Sequence, residues 1–292
     1  MKKILFWQVF LLSFSGATSF LCAQEVPFNA MTFNIRMPNP NDGAHYWPNR
    51  KDKVISMVRF HEVDLLGVQE AFRSQLDEMA AGLQGYAWVG VCRTDGTANP
   101  DPDNEFSAIF YKKDRFELLE SQTFWLSEQP ERAGEKGWDA ALPRIVTWAR
   151  FKDKLSGKVF YHFNTHFDHI GQQARAQSAR LILSKVRSIA GDAPTLITGD
   201  FNAQPTDEPI RILTDPSDPL HLNDAIQVSE LPHHGPTGTW TNAFLFPGMP
   251  GQRIDYIFFR NRVRVLKHAI LSDSWSGMLP SDHLPVWARV VL

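Results

Sequence analysis

Six short polar clusters punctuate the apolar runs of this chain: Asn34, Glu70, His166, Asp200 with Asn202, Asp255, and Asp282 with His283. Together they offer oxygen ligands for a hard cation, a carboxylate base, and imidazoles to meet phosphate charge. That is the equipment of metal-assisted phosphate-ester hydrolysis. Taken singly, each cluster also reads as an ordinary strand-end turn or surface charge. The functional reading rests on all six occurring in one chain.

In Thr198-Gly199-Asp200-Phe201-Asn202 the glycine permits a sharp turn, and Asp200 and Asn202, two apart, can point to one side. Asp200 is then a candidate base for an attacking water, with Asn202 orienting that water or the phosphate. Arg253-Ile254-Asp255 and Ser281-Asp282-His283 each put charge at the mouth of a strongly apolar strand, where an unpaired carboxylate is costly. Two such placements suggest a common reason, with Asp255 orienting the His283 ring and favouring its cation. The competing account pairs these acids with Arg253 or Arg289. His166, in Asn164-Thr165-His166, is a candidate donor to a phosphate oxygen, followed by Asp168 and His169. Glu70 and Asn34 are candidates for holding magnesium. His45, His61, His162, His233 and His234 lack such company and read as structural or exposed.

The elements that must position these groups alternate. Strands are predicted at Ala30 to Ile35, Asp64 to Glu70, Phe106 to Tyr111, Ile145 to Phe151, Lys158 to Thr165, Thr195 to Asp200, Ile254 to Phe259, Val263 to Leu271 and Leu284 to Leu292. Helical spacing marks Arg50 to Val63, Ser74 to Leu83, Gln172 to Ala190 and a short helix from Thr206 to Leu213, capped by Thr206. Many strands with interspersed helices suit two packed sheets flanked by helices, in one domain from residue 24 to 292.

The motifs Thr-Phe-Asn34, Gln-Glu70, Asn-Thr-His166, Gly-Asp200-Phe-Asn202, Arg-Ile-Asp255-Tyr-Ile and Ser-Asp282-His283-Leu-Pro resemble the endonuclease/exonuclease/phosphatase superfamily. The similarity runs from about Phe28 to Leu292. It implies an α/β fold, a four-layer α/β/β/α sandwich like that of deoxyribonuclease I, with the site at one edge of the sheets. It also implies Mg2+ or Mn2+ held chiefly by Glu70, with Asn34 and Asp282 near it. Asp200 would align or deprotonate water beside Asn202, while His166 and the Asp255-His283 pair stabilise the pentavalent phosphorane. Trp125, Trp138, Arg144, Asp168 and His169 lie in stretches that look like a secreted bacterial branch, nearest to deadenylase-type members. Arg93, Glu105, Arg144, Asp168 and His169 are candidates for substrate contact.

Residues 1–23 read as an export signal: Lys2 and Lys3, an apolar run from Ile4 to Leu12, then small and polar residues up to Ala23. The run is shorter than the roughly 20 residues that span a bilayer. Phe20 and Leu21 argue against lipidation at Cys22. Cleavage after Ala23 leaves Cys92 alone, so no internal disulfide is expected. It also leaves 28 basic side chains against 32 acidic ones. A grip on long duplex nucleic acid calls for a basic face, which this balance does not supply. The loop Thr94 to Glu105, with four acids and no lysine or arginine, points the same way. The apolar loop Asn242 to Pro250 offers core packing or contact with a base, lipid tail or sugar face.

The expectation is therefore an exported, metal-dependent hydrolase of phosphodiesters or phosphomonoesters. A nuclease or nucleotide-degrading enzyme, a lipid phosphodiesterase, and a noncatalytic ligand-binding module on the same fold remain as alternatives. No protein partner is evident in the sequence.

Overall fold

The computed structural model describes residues 1, 25–98, 104–244 and 251–292. The proposed leader beyond its first residue, Asp101 and Asp103 of the acidic loop, and residues 245–250 of the apolar loop lie outside them.

Fourteen strands, five α-helices and one 3-10 helix (Pro40–His45) are formed by the described residues. The first sheet contains β1 (Phe28–Asn34), β2 (Leu65–Gln69), β4 (Tyr86–Val89), β6 (Ile109–Lys112), β13 (Arg264–Ile270) and β14 (Val286–Val291), in the order β13-β14-β1-β2-β6-β4. The second contains β7 (Phe116–Trp125), β8 (Ile145–Asp153), β9 (Val159–His166), β10 (Thr195–Asp200), β11 (Asn223–Asp224) and β12 (Asp255–Arg260), in the order β11-β12-β10-β9-β8-β7. The short strands β3 (Ala71–Phe72) and β5 (Glu105–Phe106) pair separately. The helices are α1 (Trp47–Phe60), α2 (Arg73–Gly82), α3 (Gln172–Ala190), α4 (Glu208–Thr214) and α5 (Ala225–Val228).

Three apolar clusters separate these elements into layers. Between the sheets, Phe28, Ile109, Phe151, Phe160, Leu196, Ile257 and Val290 interdigitate. Outside the first sheet, Val54, Val58, Leu76 and Met79 from α1 and α2 cover Met31, Phe33 and Leu66. Outside the second, Ile182, Val186 and Ile210 from α3 and α4 cover Phe163, Ile197 and Phe258. The four-layer α/β/β/α sandwich follows from these buried faces. Central strands buried on both sides read as continuous apolar runs, which is why they stand out in the sequence.

One polar patch interrupts the seam between the sheets. Gln69 Nε2 donates to Asn164 Oδ1 at 2.7 Å and to Thr32 Oγ1 at 3.0 Å, while Asn164 Nδ2 donates to the carbonyls of Val68 and Ala108, both at 2.9 Å. Thr198 Oγ1 donates to Asn164 Oδ1 at 2.9 Å, and His162 Nε2 lies 2.7 Å from Thr198 Oγ1. Gly67 makes this approach possible, since a Cβ there would collide with Thr198 and Asn164. Buried amides accept few geometries, so the network ties the register of β2 to that of β9 and β10 just below their carboxyl ends.

α3 covers the predicted residues. Its first turn is capped from a distance by Asp139, which accepts from the backbone N–H groups of Gln173 and Ala174 at 3.2 and 2.6 Å. Gly191 ends it in the left-handed region, φ 58°. The short helix differs from expectation: its N-cap is Asp207, and Thr206 lies outside it. Strand β7 is absent from the sequence reading because its edge position leaves Glu117, Ser121 and Gln122 exposed, so no apolar alternation survives along much of it.

Candidate active site

Register brings the acids together. Along the second sheet Asp200, the last residue of β10, pairs with His166 at the end of parallel β9 and with Asp255 at the start of antiparallel β12. In the first sheet Asn34 at the end of β1 pairs with Gln69, which puts Glu70 at the same edge, and His283 just precedes β14. A pocket of about 590 Å³ opens over this edge, lined among others by Glu70, His166, Asp200, Asn202, Asp282 and His283.

Asp200, 1% exposed, is the hub. Its Oδ1 accepts the Asn202 backbone N–H at 2.9 Å, and its Oδ2 accepts Asn34 Nδ2 at 3.0 Å. The same Oδ2 lies 3.4 Å from His166 Nε2 and 3.8 Å from His283 Nε2. Burial first, then the neighbouring Asp255 carboxylate, pushes Asp200 up to about 7 against the opposing pull of His283. Such a carboxyl is far more basic than a surface aspartate and suits proton abstraction from water.

The two histidines differ. His283 Nδ1 lies 2.8 Å from Asp255 Oδ2. Burial works against its charge, but Asp255 and Asp200 outweigh it and hold the ring well above the usual imidazole range, so it is a cation. His166 is held well below that range, by burial first and then by the guanidinium groups of Arg144 and Arg93. Neutral His166 faces Asn202, whose Nδ2 lies 3.0 Å from His166 Nε2 and donates to Phe167 O at 3.0 Å. The cation expected at His283 is thus present, while His166 is neutral with the Arg144 guanidinium nearby. Arg253 binds Asp224 at 2.7 Å and not Asp255, so the ion-pair alternative for Asp255 does not hold.

Glu70 and Asp282 form the acidic side of the pocket. Glu70 Oε1 accepts Asn34 Nδ2 at 3.0 Å and Oε2 accepts the Met37 backbone N–H at 3.2 Å. Burial raises Glu70, but His283, Asn34 and Arg36 outweigh it and keep the carboxyl below its ordinary value. Asp282 is raised, by burial foremost, with Glu70 adding to it against His283. Two oxygen-donor acids lining one pocket fit a hard divalent cation, and the Arg36 guanidinium lies 3.9 Å from each. Asn34 Oδ1 accepts the Arg36 backbone N–H at 3.0 Å, which turns the amide nitrogen toward Glu70 and Asp200. Asn34 therefore bridges the ion side and the base side of the pocket. Atoms of Asp200, Asp255 and His283 also lie within 4.8 Å of one another. Distance alone would admit an ion there, but His283 Nδ1 is engaged by Asp255, and the trio reads better as proton-handling groups.

Of the other candidates, Glu105, Arg144 and His169 line the pocket. Arg93 does not; it forks onto Glu105 at 2.6 and 2.9 Å behind the wall. Asp168 is buried beneath, where it accepts backbone N–H groups from Leu142, Ile170 and Gly171. Sequence reasoning missed Arg36, Trp240 and Gln252, all on the pocket wall. Arg36 had a signal, two residues after Asn34, whereas Trp240 reaches the site through a bridge to His283 that no spacing announces. Arg36, Glu70 and Asn202 all have positive φ, 57°, 58° and 45°, a concentration of backbone strain typical of functional sites.

Comparison with solved structures gives an endonuclease/exonuclease/phosphatase from Bacteroides vulgatus at 38% identity and TM-score 0.85, covering 91% of this chain and 99% of that one. A mannosyl-6-phosphatase of Bacteroides thetaiotaomicron is 35% identical with TM-score 0.83, over 91% and 100% of the two chains. Nocturnin of Drosophila melanogaster is 28% identical over 200 residues, which are 65% of this chain but only 29% of that protein. Residues 31–283 match the Endonuclease/Exonuclease/phosphatase family, and the chain belongs to that family.

Proposed function

We propose that this phosphoesterase is a metal-dependent phosphatase that releases phosphate from a small, polar phosphomonoester, with a sugar phosphate the favoured class. The observation that carries the reading is the convergence on Asp200 of Asn34, His166 and His283 inside one pocket flanked by two further acids. Similarity to a mannosyl-6-phosphatase over nearly the whole of both chains supports the sugar-phosphate choice. At about 590 Å³ the pocket is of the size that takes a small molecule.

Asp200 accepts a proton from the attacking water as the water oxygen bonds to phosphorus. Asn202 Oδ1, which has no protein partner among the described residues, orients that water. The bond from phosphorus to the alcohol oxygen breaks, and the alcohol departs after taking a proton from solvent. His283, fixed by Asp255, meets the charge that builds on the equatorial oxygens. A divalent ion held by Glu70 and Asp282, beside Asn34, would supply Lewis-acid polarisation of the phosphate.

Export from the cytoplasm is part of the proposal, supported by the basic and apolar character of residues 1–23. Among the described residues no helix is long and apolar enough to cross a membrane. The test is release of phosphate from aryl phosphates, hexose phosphates and nucleotides, set against cleavage of bis-aryl phosphates and polynucleotides, with magnesium, manganese or chelator, by wild type and D200N. N-terminal sequencing of the mature protein tests the leader. Activity retained by D200N, or faster cleavage of polynucleotides than of small monoesters, overturns the reading.

A further inference from the structure

Arg144 occupies an unusual position. It sits just before β8, is 4% exposed, and lines the pocket beside His166 and Asn202. A guanidinium has five N–H donors. Nε lies 3.5 Å from Asp168 Oδ2 and Nη2 lies 3.1 Å from His169 Nδ1, while Nη1 is buried without a partner. A buried cation with most of its donors unengaged is expensive to keep unless an anion completes it.

Its surroundings are built to hold it there. Burial disfavours charge on Asp168, yet backbone N–H groups of Gly171 and Ile170, together with Arg144, outweigh it and hold the carboxyl at about 2. Asp168 is thus a fixed anion under the guanidinium. The other arginine nearby, Arg93, is taken up by its fork with Glu105. Among the described residues lining the pocket, Arg36 faces the acids Asp42, Glu70 and Asp282, which leaves Arg144 as the guanidinium on the histidine side.

We propose that Arg144, oriented by Asp168, binds a terminal phosphate oxygen and makes the pocket selective for phosphomonoesters over diesters. This rests on the phosphatase reading and names the residue that sets its substrate class. A monoester has three unesterified oxygens and close to two negative charges at neutral pH. After the acidic, ion-holding side and His283 have engaged two of them, one remains for Arg144. A diester has only two, and its second ester group would meet a buried guanidinium with nothing to offer its donors. The planar fork suits phosphate oxygens, and lysine would replace the charge without the geometry.

The experiment measures kcat/KM for p-nitrophenyl phosphate and bis(p-nitrophenyl) phosphate with saturating magnesium, for wild type, R144Q, R144K and D168N. R144Q should lose about 100-fold on the monoester and less than about threefold on the diester. R144K should recover part of the loss, and D168N should lose about tenfold on the monoester only. Calorimetric titration with inorganic phosphate gives a second readout, with binding by wild type and at least about tenfold weaker binding by R144Q. Equal losses on both esters, or an unaltered monoester rate, overturn the proposal. If R144Q does not fold by circular dichroism, R144K and D168N decide it by the same ratio. A wild type that binds phosphate through Arg144 yet cleaves no monoester sinks the phosphatase reading; unchanged phosphate binding by a folded R144Q sinks the role of Arg144.

Discussion

Asp200 and Asp255 stand opposite each other on paired strands with the ring of His283 against both, Nδ1 at 2.8 Å from Asp255 and Nε2 at 3.8 Å from Asp200. Two buried acids so placed resist ionising together, and the imidazolium is what makes their charge tolerable. The arrangement assigns one acid to hold the ring and the other to work on water.

Replacing Asp255 by Asn removes the anion that keeps His283 charged while preserving shape. We expect D255N to lose about 10²–10⁴ in kcat with KM little changed. Steady-state kinetics on an aryl phosphate check this. Near-wild-type turnover would falsify the assigned pairing.

Glu70 combines a left-handed backbone, φ 58°, with a carboxylate facing Asp282 across the pocket. Glycine relieves the backbone strain but gives up the hydrogen bonds from Asn34 and Met37, so E70G should be inactive with a stability within about 1 kcal/mol of wild type. Magnesium should raise the melting temperature of the wild type and leave that of E70G unmoved. Thermal melts with magnesium or chelator separate the outcomes; a magnesium shift preserved in E70G moves the ion site elsewhere.

Gly67 sits where the sheets approach through Gln69, Asn164 and Thr198. A methyl group there should cost about 1–3 kcal/mol by overpacking, and by shifting β2 it should also lower activity. Urea titration of G67A reports the first effect and turnover the second. A fully stable, fully active G67A would show the seam to be looser than described.

His162, buried in β9 against Thr198, is pushed down to about 3 by burial. Its ordinary value in the unfolded chain is about 6.5, so between about 3 and 6.5 the unfolded state takes up more protons. Stability from this group is complete above that window and falls as the pH drops through it, by about 2 kcal/mol at pH 5. Denaturation curves at pH 7 and 5 should show that loss in wild type and a smaller one in H162Q. An equal loss in H162Q places the acid sensitivity in other groups.

The two-sheet reading was legible because β1, β2, β10 and β12 are buried on both faces and appear as largely apolar runs without alternation. Edge strand β7 was not, since solvent on one side dilutes its pattern with Glu117 and Gln122. The polar seam was equally hidden: nothing in the spacing of Gln69, Asn164 and Thr198 says that they touch.

For the site, residue type and local context singled out Asn34, Glu70, His166, Asp200, Asn202, Asp255, Asp282 and His283, because charge or amide at the mouth of an apolar strand needs a reason whatever the fold. The charge state of each group came only from three-dimensional proximity. The sequence pairs His283 with an acid but gives no sign that His166 lies near two guanidinium groups; the first is cationic between two carboxylates and the second is neutral. The same holds for Arg93 and Arg144, one closed onto Glu105 and the other left open to the pocket. Local sequence determines which groups lie at strand ends; the field each group feels is a sum over neighbours brought from distant segments, and only the packed sheets decide it.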